Sequence, residues 1–161
     1  AALLRAVALC HAAFDHAARG NHRHHPRDGE DARLKKRLTV AAVVIRRNGM
    51  VLLSTRPAGK PPAGREFPGG KLEPGETLKQ AAERELREEL GVEILALDEM
   101  FRITHETENA VIHLRFIRAL LPDTAELVAL EGQTFGWFDL ALPMPPDLLA
   151  PDRPVWEFLA E

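Results

Sequence analysis

Residues 71–91 read KLEPGETLKQAAERELREELG and contain the signals for one complete helix. Thr77, followed three residues later by Gln80, forms a capping box, which is typical of a helix start. Gly91 supplies the left-handed conformation that commonly ends a helix. The stretch therefore predicts a helix over residues 78–90.

One side of this predicted helix is apolar and the opposite side is charged. At roughly 100° per residue, a single stripe would face a neighbouring sheet. The stripe consists of Leu78, Ala81, Ala82, Leu86 and Leu90. On the opposite side, Glu83 and Arg87 have the spacing of a favourable ion pair, which is typical of a solvated face.

Three glutamates have no such explanation: Glu85, Glu88 and Glu89 share one side of the helix, along the edge of the apolar stripe. Clustered, half-buried carboxylates raise one another's pKa and destabilise the fold unless a positive charge joins them. Arg84, four residues before Glu88, can offset only one of the three charges. Magnesium or manganese would neutralise the rest, because hard cations bind carboxylate oxygens and complete their shell with water and phosphate oxygens. The helix therefore predicts a metal site.

The loop before the helix, EFPGGK at residues 66–71, suggests what the metal acts on. Its glycines allow the backbone to approach a ligand closely, and Lys71 is a compact charge suited to phosphate. A Gly-Gly-Lys loop by itself is more often only a turn. Next to an acidic helix it indicates phosphate chemistry.

Two β-hairpins flank this region. LTVAAVVIRR and VLLSTR lie on either side of Asn48-Gly49, a strong turn signal. ILALDEMFRITHE and AVIHLRFIRALL form a longer pair around Glu108-Asn109, TFGWFDL predicts a short strand, and residues 151–161 predict a final helix. This order predicts an α/β (α+β) fold in which helices sandwich a mixed β-sheet.

Composition divides the chain into an extension, residues 1–37, and a main domain, residues 38–161. The extension reads as an alanine-rich helix and a polar linker, with eight Lys and Arg against four Asp and Glu. The main domain carries thirteen basic against twenty acidic residues. Such an acidic body is a poor host for bare nucleic acid, so no nucleic-acid partner is expected. Phosphates would be bound through divalent cations.

Other features bear on location and assembly. The longest apolar run, residues 41–45, is too short to span a bilayer, so no membrane partner is expected. Cys10 is the single cysteine and cannot form an internal disulfide, which favours a reducing cytoplasm. We expect a monomer or a weak dimer.

The residues of the loop and helix together resemble the Nudix family. Its box, Gly-x5-Glu-x7-Arg-Glu-(aliphatic)-x-Glu-Glu-x-Gly-(aliphatic), is matched at every specified position. The matching residues are Gly70, Glu76, Arg84, Glu85, Leu86, Glu88, Glu89, Gly91 and Val92. The sequence EFPGGK, which leads into the box, resembles the signature of the MutT-type branch of the family.

The resemblance implies an α/β/α sandwich and a magnesium-dependent hydrolase, with manganese able to substitute. The implied metal ligands are the Gly69 carbonyl, Glu85, Glu88 and Glu89. Glu85 is also a candidate general base, Arg84 would orient the carboxylates, and Lys71 belongs to the catalytic set. The sequence EGQ at residues 131–133 resembles a MutT-type loop that brings in one more glutamate, Glu131, although a surface glutamate is as often only solvated.

For the MutT-type branch, the implied substrate is a small nucleoside triphosphate, cleaved to the monophosphate and pyrophosphate. We expect 8-oxo-dGTP above all. The base would lie between the first hairpin, the EFPGG loop and the final helix. The implied substrate-binding residues are Arg56, Glu66, Phe67, Pro68 and Asp152. Phe67 could equally be core packing, and Arg56 a surface arginine at a strand end.

Asp152 departs from the MutT-type pattern, which has Asn at this position. A carboxylate accepts hydrogen bonds but donates one only when protonated. Related Nudix enzymes that prefer cytidine nucleotides look similar here, so a modified cytidine nucleotide is the alternative substrate. Asp152 could also simply cap the final helix. A Nudix domain that only binds nucleotides is a further alternative, but such domains usually lose box carboxylates and none is lost here.

Overall fold

The computed structural model describes residues 35–59, 62–106 and 108–161. The predicted helix of residues 1–19 and the linker up to residue 34 lie outside the described residues. In the described part no helix is long and apolar enough to cross a membrane.

Seven strands and two α-helices make up the described part of the chain. They are β1 Lys36–Arg47, β2 Met50–Thr55, β3 Arg65–Glu66, β4 Gly69–Lys71, α1 Leu78–Leu90, β5 Leu95–Glu106, β6 Ala110–Leu120, β7 Thr134–Asp139 and α2 Arg153–Ala160. A 3-10 turn, Ala150–Asp152, leads into α2. The first strand thus begins at Lys36, two residues before the predicted domain boundary at residue 38.

The first hairpin forms where it was predicted. Asn48 and Gly49 have φ of 50° and 77°, and this pair of positive angles closes a tight two-residue turn. Arg46 pairs with Val51, and Arg47 with Met50. Beyond these pairs the two strands diverge, because the rest of β1 belongs to a second group of strands.

Strand β1 is the centre of the sheet. It runs parallel to β6 over ten residue pairs and antiparallel to β4 over three. Strands β5 and β6 form the predicted long hairpin, and β2 pairs with both β3 and β7. The mixed sheet is therefore confirmed.

Each face of the sheet carries a helix. Helix α1 buries Ala81, Leu86 and Leu90 against the face of β1 that contains Val43. Helix α2 buries Val155, Trp156 and Leu159 in the core on the other face, with Phe67 and Phe116. The arrangement is the expected α/β/α sandwich.

The ends of α1 also form as predicted. Thr77 accepts from the Gln80 amide, and the Gln80 side chain accepts from the Thr77 amide at 2.9 Å. Gly91 ends the helix in the left-handed conformation, with φ of 65°. The predicted Glu83–Arg87 pair is wrong: Arg87 pairs with Glu93, which lies just beyond the helix. Glu83 instead accepts from the Ala96 amide at 3.3 Å, which ties α1 to β5.

Candidate active site

Two glycines of the EFPGGK loop lie against the carboxylates of α1. The Gly69 N–H donates to Glu89 Oε2 at 3.2 Å. A Cβ at Gly70 would lie 2.1 Å from the Glu85 carboxyl carbon. The loop is glycine at these positions because the backbone is wedged between β1 and the acidic side of the helix.

Glu89 is a buried carboxylate: the residue is only 7% exposed, and no ion pair to it occurs among residues 35–59, 62–106 and 108–161. Loss of solvation, and then the nearby charge of Glu85, raise its pKa to about 8, against the opposing hydrogen bond from Gly69. Near neutral pH this residue holds a proton that a cation could replace.

Glu85 is equally buried, at 5% exposed, but it is not alone. Arg84 Nη1 donates to its Oε1 at 2.8 Å. Burial raises the pKa of Glu85, Arg84 partly offsets this, and the charge of Glu88 raises it further. The helix therefore brings two under-neutralised carboxylates to the glycine loop, at the edge of the apolar stripe where the sequence predicted them.

Arg84 lies at the centre of a network on this side of the helix. Its Nε and Nη2 form a two-point ion pair with Glu76, at 2.8 and 3.0 Å, and Nη2 also donates to the Lys71 carbonyl at 2.9 Å. Its contact with Glu88 is longer, 3.3 Å. These bonds raise the pKa of Arg84, and its hydrogen bond is the main reason that the pKa of Glu76 is lowered.

The sequence patterns predicted no role for Glu76. Its place among the fixed positions of the matched box was the one signal that could have indicated a role. The contact could not be inferred from helix geometry, because Glu76 precedes the helix and reaches Arg84 across the loop. Glu76 fixes the guanidinium that in turn fixes Glu85.

Glu88 is the exception among the three predicted metal glutamates. Its side chain is 52% exposed, and within the described part of the chain its ion pair is with the Arg84 guanidinium. In the same part of the chain, no group of three His, Cys, Asp or Glu side chains is gathered closely enough to hold a metal ion. The structure thus brings Glu85 and Glu89 together and leaves Glu88 at the rim.

The donor set nevertheless fits a hard divalent cation. Magnesium keeps several waters and is often bound through only one or two carboxylates together with substrate phosphates. Glu85 and Glu89 supply buried carboxylate oxygens, and the raised pKa of each shows that a positive charge there would be favourable. Lys71 is half-buried at the end of β4, and its carbonyl accepts from Arg84.

The segment before β7 packs on the C-terminal end of α1. The amides of Val128 and Leu130 donate to the carbonyls of Leu90 and Glu89 at 3.0 and 2.9 Å. Gln133 is buried and also donates to the Glu89 carbonyl, at 2.9 Å. Glu131 itself is exposed. The structure therefore places the Glu131 loop beside the C-terminal end of α1. It also adds Gln133 to the site, a residue to which the sequence pattern assigned no role.

A second group of charged residues lies where the base was expected. Arg56 Nε and Nη2 donate to the two carboxylate oxygens of Glu66, both at 3.2 Å, and Arg56 Nη1 donates to the Pro62 carbonyl. Both side chains are buried, so Arg56 is not the surface arginine that the alternative reading allowed. Burial raises the pKa of Glu66, while Arg56 lowers it.

Asp152 completes this group and is buried, at 5% exposed. Burial, and then the Glu66 carboxylate, raise the pKa of Asp152 well above the ordinary value, against a hydrogen bond from the Phe67 backbone and the charge of Arg56. It makes no side-chain cap to α2. The helix-capping alternative is therefore wrong.

Phe67 and Pro68 connect the two groups. The Phe67 ring has no exposed surface and packs edge-on against Phe116, with ring centroids 5.7 Å apart. In this structure the ring is core, and the backbone of Phe67, not its ring, contacts Asp152. The Pro68 carbonyl accepts from the Val43 amide at 2.7 Å, which anchors the loop to β1.

The NUDIX domain family model matches residues 35–157. The chain belongs to the Nudix family. It is 41% identical to the CTP pyrophosphohydrolase of Escherichia coli K12 over 104 residues, covering 63% of this chain and 76% of that protein. It is 40% identical to the 8-oxo-dGTP diphosphatase of Haemophilus influenzae over 107 residues, covering 65% and 78%.

Among solved structures, the solution structure of the E. coli ORF135 protein matches with 38% identity and a TM-score of 0.64, covering 78% of this chain and 91% of that one. The MutT-type Nudix resemblance and the sandwich fold are therefore confirmed. This protein is a Nudix pyrophosphohydrolase, a class that acts on small nucleotides and generally uses divalent metal ions.

Proposed function

We propose that this Nudix hydrolase is a magnesium-dependent nucleoside triphosphate pyrophosphohydrolase, with manganese able to substitute. The supporting observation is Glu89, a buried carboxylate with a pKa raised to about 8, held by glycine backbone beside a second buried carboxylate. Such an arrangement destabilises the protein in the absence of a cation. Release of pyrophosphate from a panel of nucleotides, with and without magnesium, tests it.

The residues present define what each would do. Gly69, Glu85, Glu88 and Glu89 would hold the ion, Glu88 turning inward from the rim. Bound magnesium would withdraw charge from phosphate oxygens and make water easier to deprotonate. Glu85 would take the proton from water as general base, Arg84 would fix its carboxylate, and Lys71 and Glu131 would complete the catalytic set.

For the base, we infer that 8-oxo-dGTP is the preferred substrate, converted to 8-oxo-dGMP and pyrophosphate in cytoplasmic cleansing of the nucleotide pool before DNA replication. The support comes from Asp152. Burial raises the pKa of Asp152 and so favours its protonated form. A protonated carboxyl presents an O–H donor and a C=O acceptor side by side, as the amide of Asn does. This pair matches the O6 acceptor and N1–H donor of a guanine base.

A modified cytidine nucleotide is the second candidate. It is favoured by the 41% identity to a protein named CTP pyrophosphohydrolase. Ionised Asp152 would accept from the cytosine amino group, and the Arg56–Glu66 pair would lie alongside. The two candidates differ in the protonation state that they require of one carboxyl.

Asp152→Asn is expected to preserve 8-oxo-dGTP turnover, because the amide supplies the same donor and acceptor as the protonated acid. It should also remove a limb of the pH profile: kcat/KM of the wild type falls as pH rises through the raised pKa of Asp152, and that of the variant does not. The measurement is the ratio of 8-oxo-dGMP to 5-methyl-dCMP formed when 8-oxo-dGTP and 5-methyl-dCTP compete.

The control is Asp147→Asn, since Asp147 is exposed and pairs with Arg65. A wild-type preference for the pyrimidine, abolished by Asp152→Asn at a cost of roughly 1–3 kcal/mol, would overturn the oxidised-purine assignment. It would leave pyrophosphohydrolysis itself intact.

We further propose that residues 1–34 are an appendage. A chain that starts at Lys35 keeps all of β1 and also the ion pair between Lys35 and Glu106. It should hydrolyse nucleotides within a few-fold of the full chain. Failure of the shortened chain to fold, seen in its circular dichroism, would instead place the extension in the core.

A further inference from the structure

The side chain of Gln133 joins the backbones of two glutamates of the proposed site: Glu89, a proposed metal ligand, and Glu131, a member of the proposed catalytic set. Its Nε2 donates to the Glu89 carbonyl at 2.9 Å, and its Oε1 accepts from the Glu131 amide at 2.8 Å. Gln133 is 9% exposed, so this amide has been removed from water and both of its ends are used within the protein.

A capping role alone does not account for these contacts. The Glu89 carbonyl is already satisfied by the Leu130 amide at 2.9 Å, so a second donor is not needed to end the helix. The bond to the Glu131 amide contributes nothing to α1. It fixes the turn at Gly132, where φ is 75°, and hence the direction in which the Glu131 side chain leaves the loop.

We propose that Gln133 is a positioning residue that holds the Glu131 loop in register with Glu89. The claim rests on the proposed function. Gln133 contacts no substrate atom in this scheme. It acts because the backbone of Glu89 and the backbone of Glu131 can no longer move independently. Partners of this kind behind a metal site typically contribute about 10- to 100-fold in affinity or activity.

Gln133→Met keeps the length of the side chain and removes both hydrogen bonds. It should lower kcat about 10-fold or more while KM changes little, because the substrate contacts remain. Gln80→Met is the matched control, since it makes the same substitution at the other end of α1 and removes one bond of the capping box. It should lower the Tm by a smaller amount, because Gln80 is exposed and loses one bond, and leave kcat unchanged.

A double-mutant cycle tests whether Gln133 acts through Glu131. In a Glu131→Gln background, Gln133→Met should cost less than about 3-fold, because the group that it positions is already disabled. An undiminished loss in that background would overturn the proposal. So would wild-type kcat in Gln133→Met, or an equal kcat loss in Gln80→Met.

Binding of Mn²⁺ alone, measured by calorimetry, provides a readout independent of turnover. Gln133→Met should weaken it about 10-fold and Gln80→Met should not. Equal affinities in the wild type and Gln133→Met would overturn the proposal. Wild-type protein that binds Mn²⁺ but cleaves no nucleotide would overturn the proposed function instead, and the affinities would still decide the role of Gln133.

Discussion

Glu89→Gln is expected to lower pyrophosphate release from 8-oxo-dGTP at least ~100-fold at saturating magnesium. The substitution keeps the shape of the side chain and its contact with Gly69, but removes the charge that would bind the metal. The measurement is steady-state turnover across a magnesium titration. Glu157→Gln, an exposed position on α2, is the matched control and should turn over like the wild type.

The same substitution should stabilise the metal-free protein. The pKa of Glu89 is raised from 4.5 to about 8 by folding. The folded state therefore binds this proton more tightly than the unfolded state, and stability falls as pH rises from about 4.5 to about 8. Glu89→Gln removes that loss, so its Tm should exceed that of the wild type at pH above 8 and approach it near pH 4.5.

Magnesium should reverse the order by raising the Tm of the wild type and not that of the variant. Scanning calorimetry of both proteins at both pH extremes, with and without magnesium, would measure every combination. Normal turnover in Glu89→Gln, or a Tm difference between the metal-free variant and the metal-free wild type that does not grow with pH, would contradict the metal-site assignment.

Gly70→Ala is expected to abolish most activity, again by at least ~100-fold, while the protein stays folded. The added Cβ would lie 2.1 to 2.3 Å from the Glu85 carboxyl atoms. Because these atoms end a flexible side chain, the carboxylate can move away, but it then leaves its place beside Glu89 and Arg84. Turnover and circular dichroism on the same sample separate lost function from lost structure.

The neighbouring glycine provides the comparison. At Gly69 an added Cβ would lie 2.0 Å from the Ala41 carbonyl oxygen, at a φ of 146°. Backbone cannot move away as a side chain can, so Gly69→Ala should cost about 3 kcal/mol or more in stability. Gly75→Ala, which meets open space, is the control for positive φ alone. A fully active Gly70→Ala would show that the position of Glu85 is not critical.

The parts of the site that lie within one helix could be predicted from sequence. The capping box, the glycine stop and the apolar stripe are local patterns, and a fixed rotation per residue places Glu85 and Glu89 at the edge of the stripe. The same geometry did not predict the contacts of Arg84. Helical periodicity gives the direction in which a side chain points from the helix, but not which loop residues it contacts.

The remaining contacts join a residue of the helix to a residue outside it. Glu76 meets Arg84 from a loop, Arg87 prefers Glu93 to the nearer Glu83, and Gln133 reaches Glu89 across 44 positions. The burial of Asp152 likewise depends on how the 3-10 turn before α2 lies against Glu66 and Phe67. None of these has a periodic signature, because each is set by tertiary packing and not by backbone repeat.

Strand β1 has a consequence for how the protein opens. It pairs with β6 over ten residues, with β4 over three and with β2 at its end. The sheet face that packs on α1 and the face that packs on α2 therefore share a single strand. Neither face of the sheet can unfold locally without breaking hydrogen bonds of the β1 amides that also support the other face. The two halves of the site therefore belong to one cooperative unit, and slow hydrogen exchange at Val43 would report the integrity of both.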